Sequence, residues 1–519
     1  MKPKFKATAS IGTQSKAQSK AIAARAADVQ RLLLQALAHH QQGQTALAQI
    51  GYEQVIALDP QHFDALHMLG VLASQTQQAQ RAVDLIQQAI RSKPGVAGAY
   101  LNLGVALRQL QRFQEALACY DQALQLEPQD PQTHTNRGVA LRSLRRYHEA
   151  LESYNTALRL APNLAQAHYN RGLVHNDLNL LSEAIQDFEA TLALSPGYHP
   201  ALWAKALCLL QLGEFAQAWP LYALRWQQDE KEFTSQALRT AVAKWQPGAM
   251  PQRLLVWPEQ GVGDELMFGA LLPQTQQLCH KLHVQLDARL IPMFQRGMPG
   301  ITFVPKHQPV EESAYDAHLP MGDLAHVFCQ TEPNFQAIQA AYVKADPVRV
   351  QALRRQLSPD GQRLCGISWR SKNLKKGQDR SVPLSDMLRA INTPGVRFVN
   401  LQYGDVREEL AQVQASLGIE VVQCPSVDNH HDLDGLAALI QACDVVVSAD
   451  NSTVHLAGAL GQTVWVLLPF NADWRWLLNR EDSLWYPSAK LFRQTQMNDW
   501  QAVLARVGKE LQQRWYAES

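Results

Sequence analysis

No stretch of the 519-residue chain approaches the roughly 18 consecutive apolar residues of a membrane-spanning helix, so no transmembrane segment is expected. No Cys-x-x-Cys pair occurs. The seven cysteines (Cys119, Cys208, Cys279, Cys329, Cys365, Cys424 and Cys443) are odd in number and scattered. That excludes a disulfide framework or cysteine zinc site and reads as buried small hydrophobes in a reducing compartment. Charge of one sign is also missing. A net charge of +1 with 18% charged residues excludes a disordered acidic chain and a globally basic nucleic-acid binder. The first residues are basic (Lys2, Lys4, Lys6, Lys16, Lys20, Arg25) with no acid before Asp28. No apolar segment follows them as a leader requires, so residues 1–27 are expected to be a flexible arm on a cytoplasmic protein.

What is present is periodicity. Prolines stand at 60, 94, 128, 162 and 196, each 34 residues after the last. Gly70, Gly104, Gly138, Gly172 and Ala206 keep the same step, as do Ala48, Ala82, Ala116, Ala150, Ala184 and Ala218. Tyr120, Tyr154, Phe188 and Tyr222 add an aromatic to each unit. Small residues let two helices approach closely, the aromatic fills the gap between units, and proline stops the second helix. One helical pair cannot bury its apolar face alone, so such pairs stack into a superhelix. The pattern resembles the tetratricopeptide (TPR) repeat family and predicts about six units over residues 28–235.

Asn102, Asn136 and Asn170 share one repeat position, two residues before the glycine. In a TPR superhelix that helix lines the concave groove, so the amides are expected in a row. An amide donates and accepts, which suits an extended peptide backbone of any sequence. Bonding between repeats is the competing explanation. The arrangement resembles the asparagine ladder of O-linked N-acetylglucosamine transferase, which favours a protein acceptor held at Asn102, Asn136 and Asn170.

Beyond about residue 240 the step disappears and strands alternate with helices. Strands are expected at 253–257, 283–286, 301–304 and 317–320, with a helical run to about 280 after the first. A second series follows at 365–369, 397–401, 419–422, 444–448 and, last, 464–468. Alternation of this kind implies parallel sheets with ligands at the carboxyl ends of the strands. The expected fold is therefore an α superhelix of TPR repeats followed by an α/β, GT-B-like pair of Rossmann-like layers, 236–348 and 349–519.

Four segments could carry chemistry. In Ser448-Ala-Asp450-Asn451-Ser452-Thr453-Val-His455, a strand ends and a helix begins, so unpaired N–H groups and the helix dipole offer a seat for a phosphate. In Glu259-Gln-Gly-Val-Gly263-Asp264, Asp264 opens a helix whose dipole favours the ionised carboxylate; it is read as a general base or as a helix cap. After Trp369 comes a basic loop, Arg370, Lys372, Lys375, Lys376 and Arg380, from which Arg370 and Arg380 are the candidates to neutralise a leaving phosphate. The turn around Tyr403 follows another strand and is a candidate seat for a base or ribose. None of these segments has a DxD-like carboxylate pair, so neither a metal nor a cofactor beyond a co-substrate is expected.

Residues 250–519 resemble the heptosyltransferase-related glycosyltransferases, in which an aspartate–small–small–xx–His segment holds the sugar nucleotide; Asp450 to His455 match it. Gly263-Asp264 match the turn whose aspartate is that family's proposed base, and Asp473-Trp-Arg-Trp476 and Trp485-Tyr-Pro487 extend the likeness. Fused to a repeat array, the chain resembles bacterial TPR-type protein glycosyltransferases, including those that modify flagellin. The resemblance implies an inverting, metal-independent protein O-glycosyltransferase with Asp264 as base. Gly263, Arg370, Arg380, Tyr403, Asp450, Asn451, Ser452, Thr453 and His455 would hold a nucleotide-sugar, and flagellin is the implied acceptor. The resemblance to the flagellin-modifying members, which often use nonulosonic acids activated as CMP-sugars, implies such a donor. The alternatives are a TPR adaptor or export chaperone with a vestigial transferase half, and an enzyme acting on a lipid-linked glycan. No nucleic-acid partner or membrane insertion is expected.

Overall fold

The computed structural model describes residues 10–227, 237–371 and 377–517. The chain forms two compact units: residues 1–178 with 190–196, and residues 179–189 with 197–519. The division passes through the helix Leu181–Leu194.

The first unit is a stack of helical hairpins. It opens with a long helix, Ser10–Gln41, so the arm expected to be flexible is helical from Ser10 onward, while Lys2, Lys4 and Lys6 lie outside the described residues. Three pairs of 13- and 14-residue helices follow at the 34-residue step, from Phe63–Gln75 with Ala79–Ser92 to Pro131–Ser143 with Tyr147–Leu160. The helices Ser92, Leu126 and Leu160 close stop two residues before the prolines at 94, 128 and 162. Ala48, Ala82, Ala116 and Ala150 are fully buried, as are Tyr120 and Tyr154. A Cβ on Gly138 would sit 2.6 Å from the Tyr154 ring, so glycine there is the condition for the ring to fill its gap. The turn inside each hairpin has a further register: Gly43, Gln77, Gln111, Arg145, Asn179 and Gly213 are all left-handed, with φ from 58° to 81°.

The second unit gathers the last repeat helices, including His199–Leu212 and Phe215–Tyr222, around two parallel sheets. The first sheet contains β1 (Arg253–Trp257), β2 (Lys281–Leu286), β3 (Thr302–Pro305) and β4 (Ala317–Pro320) in the order β3-β2-β1-β4. The second contains β5 (Arg363–Ser368), β6 (Val396–Asn400), β7 (Val421–Val422), β8 (Val445–Ala449), β9 (Val464–Leu468) and β10 (Ala489–Arg493), in the order β10-β9-β8-β5-β6-β7. Numbered within the sheet, this is the dinucleotide-fold order 3-2-1-4-5-6, and it places a ligand crevice where the order reverses, between β5 and β8. The first sheet has its own reversal between β1 and β4. Two expectations are corrected. The strand at 464–468 is not the last, because β10 and the helix Trp500–Ala517 follow it. The helical run after β1 breaks into Val262–Gly269 and Leu272–Gln276, with Pro273 just inside the second piece.

The repeat helices of this unit are fastened to its sheets. Asn179 donates to Phe470 O at 2.7 Å, Gln211 to Ala472 O at 3.3 Å, and Trp219 Nε1 to Cys329 O at 2.7 Å. Arg225, fully buried, pairs with Glu259 at 2.8 Å and with Asp323 at 2.6 Å, and its guanidinium lies 4.7 Å from the Tyr222 ring centre. Glu259 also accepts from Gly322 N at 2.6 Å, tying the turn after β1 to the end of β4. Among the described residues no helix is long and apolar enough to cross a membrane, and all seven cysteines are free.

Candidate functional site

The turn after β1 leads into the helix Val262–Gly269, whose cap is Gly261; Asp264 is its third residue and is therefore not the capping residue. Of the adjacent carboxylates, Glu265 is buried and turns to Asp287 N at 2.6 Å and Lys306 at 3.2 Å. Asp264 instead reaches the other sheet's half and pairs with Arg475. Gly263 packs against the His455 ring: a Cβ there would lie 3.0 Å from His455 Cδ2.

On the opposite side, β8 ends at Ala449 and the helix Ser452–Ala459 begins, capped by Asn451. Asn451 Oδ1 accepts from Thr453 N at 2.9 Å, while its Nδ2 donates to Ser368 Oγ at 2.8 Å and Arg370 O at 3.1 Å. The amide read as a donor contact is thus committed to bridging β5 and β8 at the reversal point. Ser452, at the first helical position, stays half-buried. Thr453 is buried, and its Oγ1 has no hydrogen-bond partner among the described residues. That unpartnered hydroxyl beside a helix N-terminus has the chemistry to donate to an oxyanion.

His455 is held from two sides. Its Nδ1 lies 2.9 Å from Tyr486 Oη, and its ring stacks on Trp476 with centres 5.6 Å apart. Burial, then the Arg475 charge, push its pKa down to about 4, so the imidazole is neutral near pH 7. Arg380 pairs with Asp450 at 3.2 Å and Asp473 at 3.1 Å. Asp450 is buried and also accepts from Trp476 Nε1 at 3.0 Å. Burial opposes the charge on Arg475, yet the Asp264 and Asp473 carboxylates hold its pKa well above the ordinary value.

Gly263, Asp264, Arg380, Asp450, Asn451, Ser452, Thr453 and His455 therefore converge. Arg370 does not join them. Its guanidinium turns to Asp405 O at 2.5 Å and Glu409 at 3.1 Å. That places it beside a cavity of about 610 Å³ whose lining includes Gln402, Gly404, Asp405, Asp428 and His430. Tyr403 borders the same region, with its ring 6.2 Å from His430. Lys372, Lys375 and Lys376 lie outside the described residues. The sequence does not single out Arg475 or Asp473 within Asp473-Trp-Arg-Trp476, because a salt bridge between distant segments leaves no local signature.

The three asparagines have local partners or burial. Asn102 Nδ2 lies 2.9 Å from His67 Nε2 of the preceding repeat, Asn136 donates to Gln132 O at 3.0 Å, and Asn170 is buried. For Asn102 this is the bonding between repeats that competed with a binding row.

Tetratricopeptide-repeat family models match residues 33–97, 97–130 and 135–199, so this part of the chain is a TPR array. Protein FlbA of Caulobacter vibrioides is 31% identical over 334 residues, covering 59% of this chain and 54% of FlbA. The matched stretch is longer than the whole array, and the chain spans about half the length of this curated relative. Similar solved structures include PilF of Pseudomonas aeruginosa, at 19% identity over 39% of this chain and 92% of that one with a TM-score of 0.36. YrrB, described as a TPR protein with an unusual peptide-binding site, matches at 22% identity over 36% of this chain and 97% of its own, with a TM-score of 0.32.

Proposed function

We propose that the protein is a cytoplasmic, inverting, metal-independent protein O-glycosyltransferase of GT-B type, with the TPR array recruiting the acceptor and the two sheets sharing the reaction. One observation carries this reading: Asp264 and the helix Ser452–Ala459 come from different sheets, each at the carboxyl end of a strand beside an order reversal, and face one another. Ligands of parallel α/β sheets bind there.

In this mechanism the helix N-terminus with Ser452 and Thr453 seats the donor's phosphate, and Arg380 and Arg475 supply the positive charge for it as it leaves. The cavity beside Gln402 and Asp405 takes the nucleoside, next to Tyr403 and Arg370. Asp264 removes the proton from an acceptor Ser or Thr hydroxyl as its oxygen bonds to the anomeric carbon and the carbon–phosphate-oxygen bond breaks. Neutral His455 neither adds to nor cancels the charge balance and serves to shape the site. The family resemblance makes flagellin the first acceptor to try and a CMP-activated nonulosonic acid the first donor.

The test is a thermal-shift panel of CMP, UDP, GDP and ADP, followed by intact-mass analysis of acceptors. A ligand at 100 times its Kd adds about 2.7 kcal/mol to the native state. One responding nucleotide names the donor's base. Asp264→Ala should keep the fold and lose roughly 100-fold or more in transfer; near-normal turnover would remove Asp264 from the mechanism. Silence across the panel would favour an adaptor with an inactive α/β half.

A further inference from the structure

Arg475 stands between the two halves of the site. One side of its guanidinium meets Asp264, and Nη1 donates to Asp473 Oδ1 at 2.5 Å. Its Cζ lies over the Trp474 ring, 4.8 Å from the ring centre, which adds a cation–π contact to the two ion pairs. Arg380 continues the series to Asp473 and Asp450. The charges thus alternate as Asp264, Arg475, Asp473, Arg380, Asp450, with three carboxylates sharing two guanidiniums. Only 14% of the Arg475 side chain and 17% of Asp264 is exposed.

Asp264 in this arrangement is occupied: its Oδ1 already accepts a charge-assisted hydrogen bond from a largely buried guanidinium and is not free to meet an acceptor hydroxyl. The oxyanion seat adjoins the same series: Asp450, paired with Arg380, precedes Ser452 by two residues, and Trp476, next to Arg475, bonds Asp450. The orphaned Thr453 Oγ1 lies in that seat.

We infer that Arg475 is a donor-responsive latch on Asp264. A nucleotide phosphate seated at Ser452–Thr453 competes with Asp264 for the Arg475 guanidinium, and Asp264 Oδ1 is freed to face the acceptor hydroxyl when it loses that competition. Arg475 is then both a donor contact and the residue that keeps the base closed while the site is empty. This rests on the transferase reading above and adds an order to it: donor first, deprotonation second.

The latch makes an affinity prediction opposite in sign to simple damage. Titration calorimetry on the full chain would compare wild type, Asp264→Asn, Arg475→Met and the double variant, with CMP, UDP, GDP and ADP as probes. The nucleotide that binds wild type should bind Asp264→Asn roughly tenfold tighter, because Arg475 no longer has a competing partner on that side. Arg475→Met should weaken binding at least roughly tenfold, and Asp264→Asn should add nothing in that background. Unchanged or weaker binding by Asp264→Asn overturns the latch. So does an equal gain in the Arg475→Met background, which would mean only that a nearby negative charge was removed. If the Met variant does not fold, Arg475→Lys replaces it, and there the gain from Asp264→Asn should shrink; an undiminished gain again overturns the inference. Binding by no nucleotide to any variant, wild type included, would overturn the transferase reading and the latch with it.

Discussion

Gly263 and His455 meet with no room for a methyl group between them: a Cβ on residue 263 would lie 3.0 Å from His455 Cδ2 and 3.5 Å from Nε2. The imidazole cannot easily yield, being bonded to Tyr486 and stacked on Trp476. The contact therefore sets the separation between the helix that carries Asp264 and the helix N-terminus opposite.

Gly263→Ala should accordingly shift that separation by a few tenths of an ångström without unfolding the chain. Misplacement on the ångström scale costs about 100-fold in rate, so on the transferase function proposed above a loss of roughly 10-fold in kcat/KM is expected with a nearly unchanged melting temperature. Unaltered transfer kinetics would mean that the spacing has slack.

His455 gives the fold an acid-sensitive point. The folded protein keeps it neutral down to about pH 4, whereas an unfolded chain takes up the proton near pH 6.5. Between those values the unfolded state binds more protons, so stability falls as pH falls. At 1.36 kcal/mol per pKa unit the loss approaches roughly 3 kcal/mol by about pH 4. His455→Gln should flatten the curve over this window. Urea unfolding at pH 7 and pH 4.5 reads the difference, and parallel behaviour of variant and wild type would clear His455 of the effect.

Arg225 predicts a stability effect remote from the chemistry. Its guanidinium is fully buried among Glu259, Asp323 and the Tyr222 ring. Arg225→Met would leave buried carboxylates short of a counter-charge, a change of about 3–5 kcal/mol. Chemical denaturation should show a large drop in midpoint, and a drop below about 1 kcal/mol would show that Lys244, 2.5 Å from Asp323, suffices.

The hairpin turns predict stabilisation. Gln77 and Gln111 hold φ of 62° and 58°, a region that costs a side-chain-bearing residue roughly 1–2 kcal/mol and glycine much less. Glycine's greater freedom in the unfolded chain returns roughly 0.5–1 kcal/mol of that. Gln77→Gly and Gln111→Gly should each raise stability by up to about 1 kcal/mol, as Gly43 and Gly213 already do at their places in the register. A fall in melting temperature for both would refute the strain argument.

The array was legible because it repeats. Three small or aromatic residues held in phase over several units record a packing rule that every unit obeys, and Gly138 against Tyr154 is that rule at one contact. The strands at β1, β5, β8 and β9 were legible as short apolar runs, since strands covered on both faces carry no alternation. β10 was not, because Lys490 and Arg493 break its apolar run at the sheet's edge. At the site, Asp264 and Asp450–His455 were found through strand-to-helix turns, which have a local signature. Arg475 is more than two hundred positions from Asp264, and the left-handed turns at Gln77 and Arg145 use residues that do not advertise positive φ.

The bonds from Asn179 and Gln211 to the 470–472 loop have a practical side for protein engineering. A chimaera that exchanges the repeat array should not be spliced at the end of the periodic region near residue 235. Such a junction discards the repeat surface that fastens the loop leading into Asp473 and Arg475. The natural splice site is the hairpin turn at Arg145 or earlier, so that every residue from Asn179 onward stays with the α/β sheets.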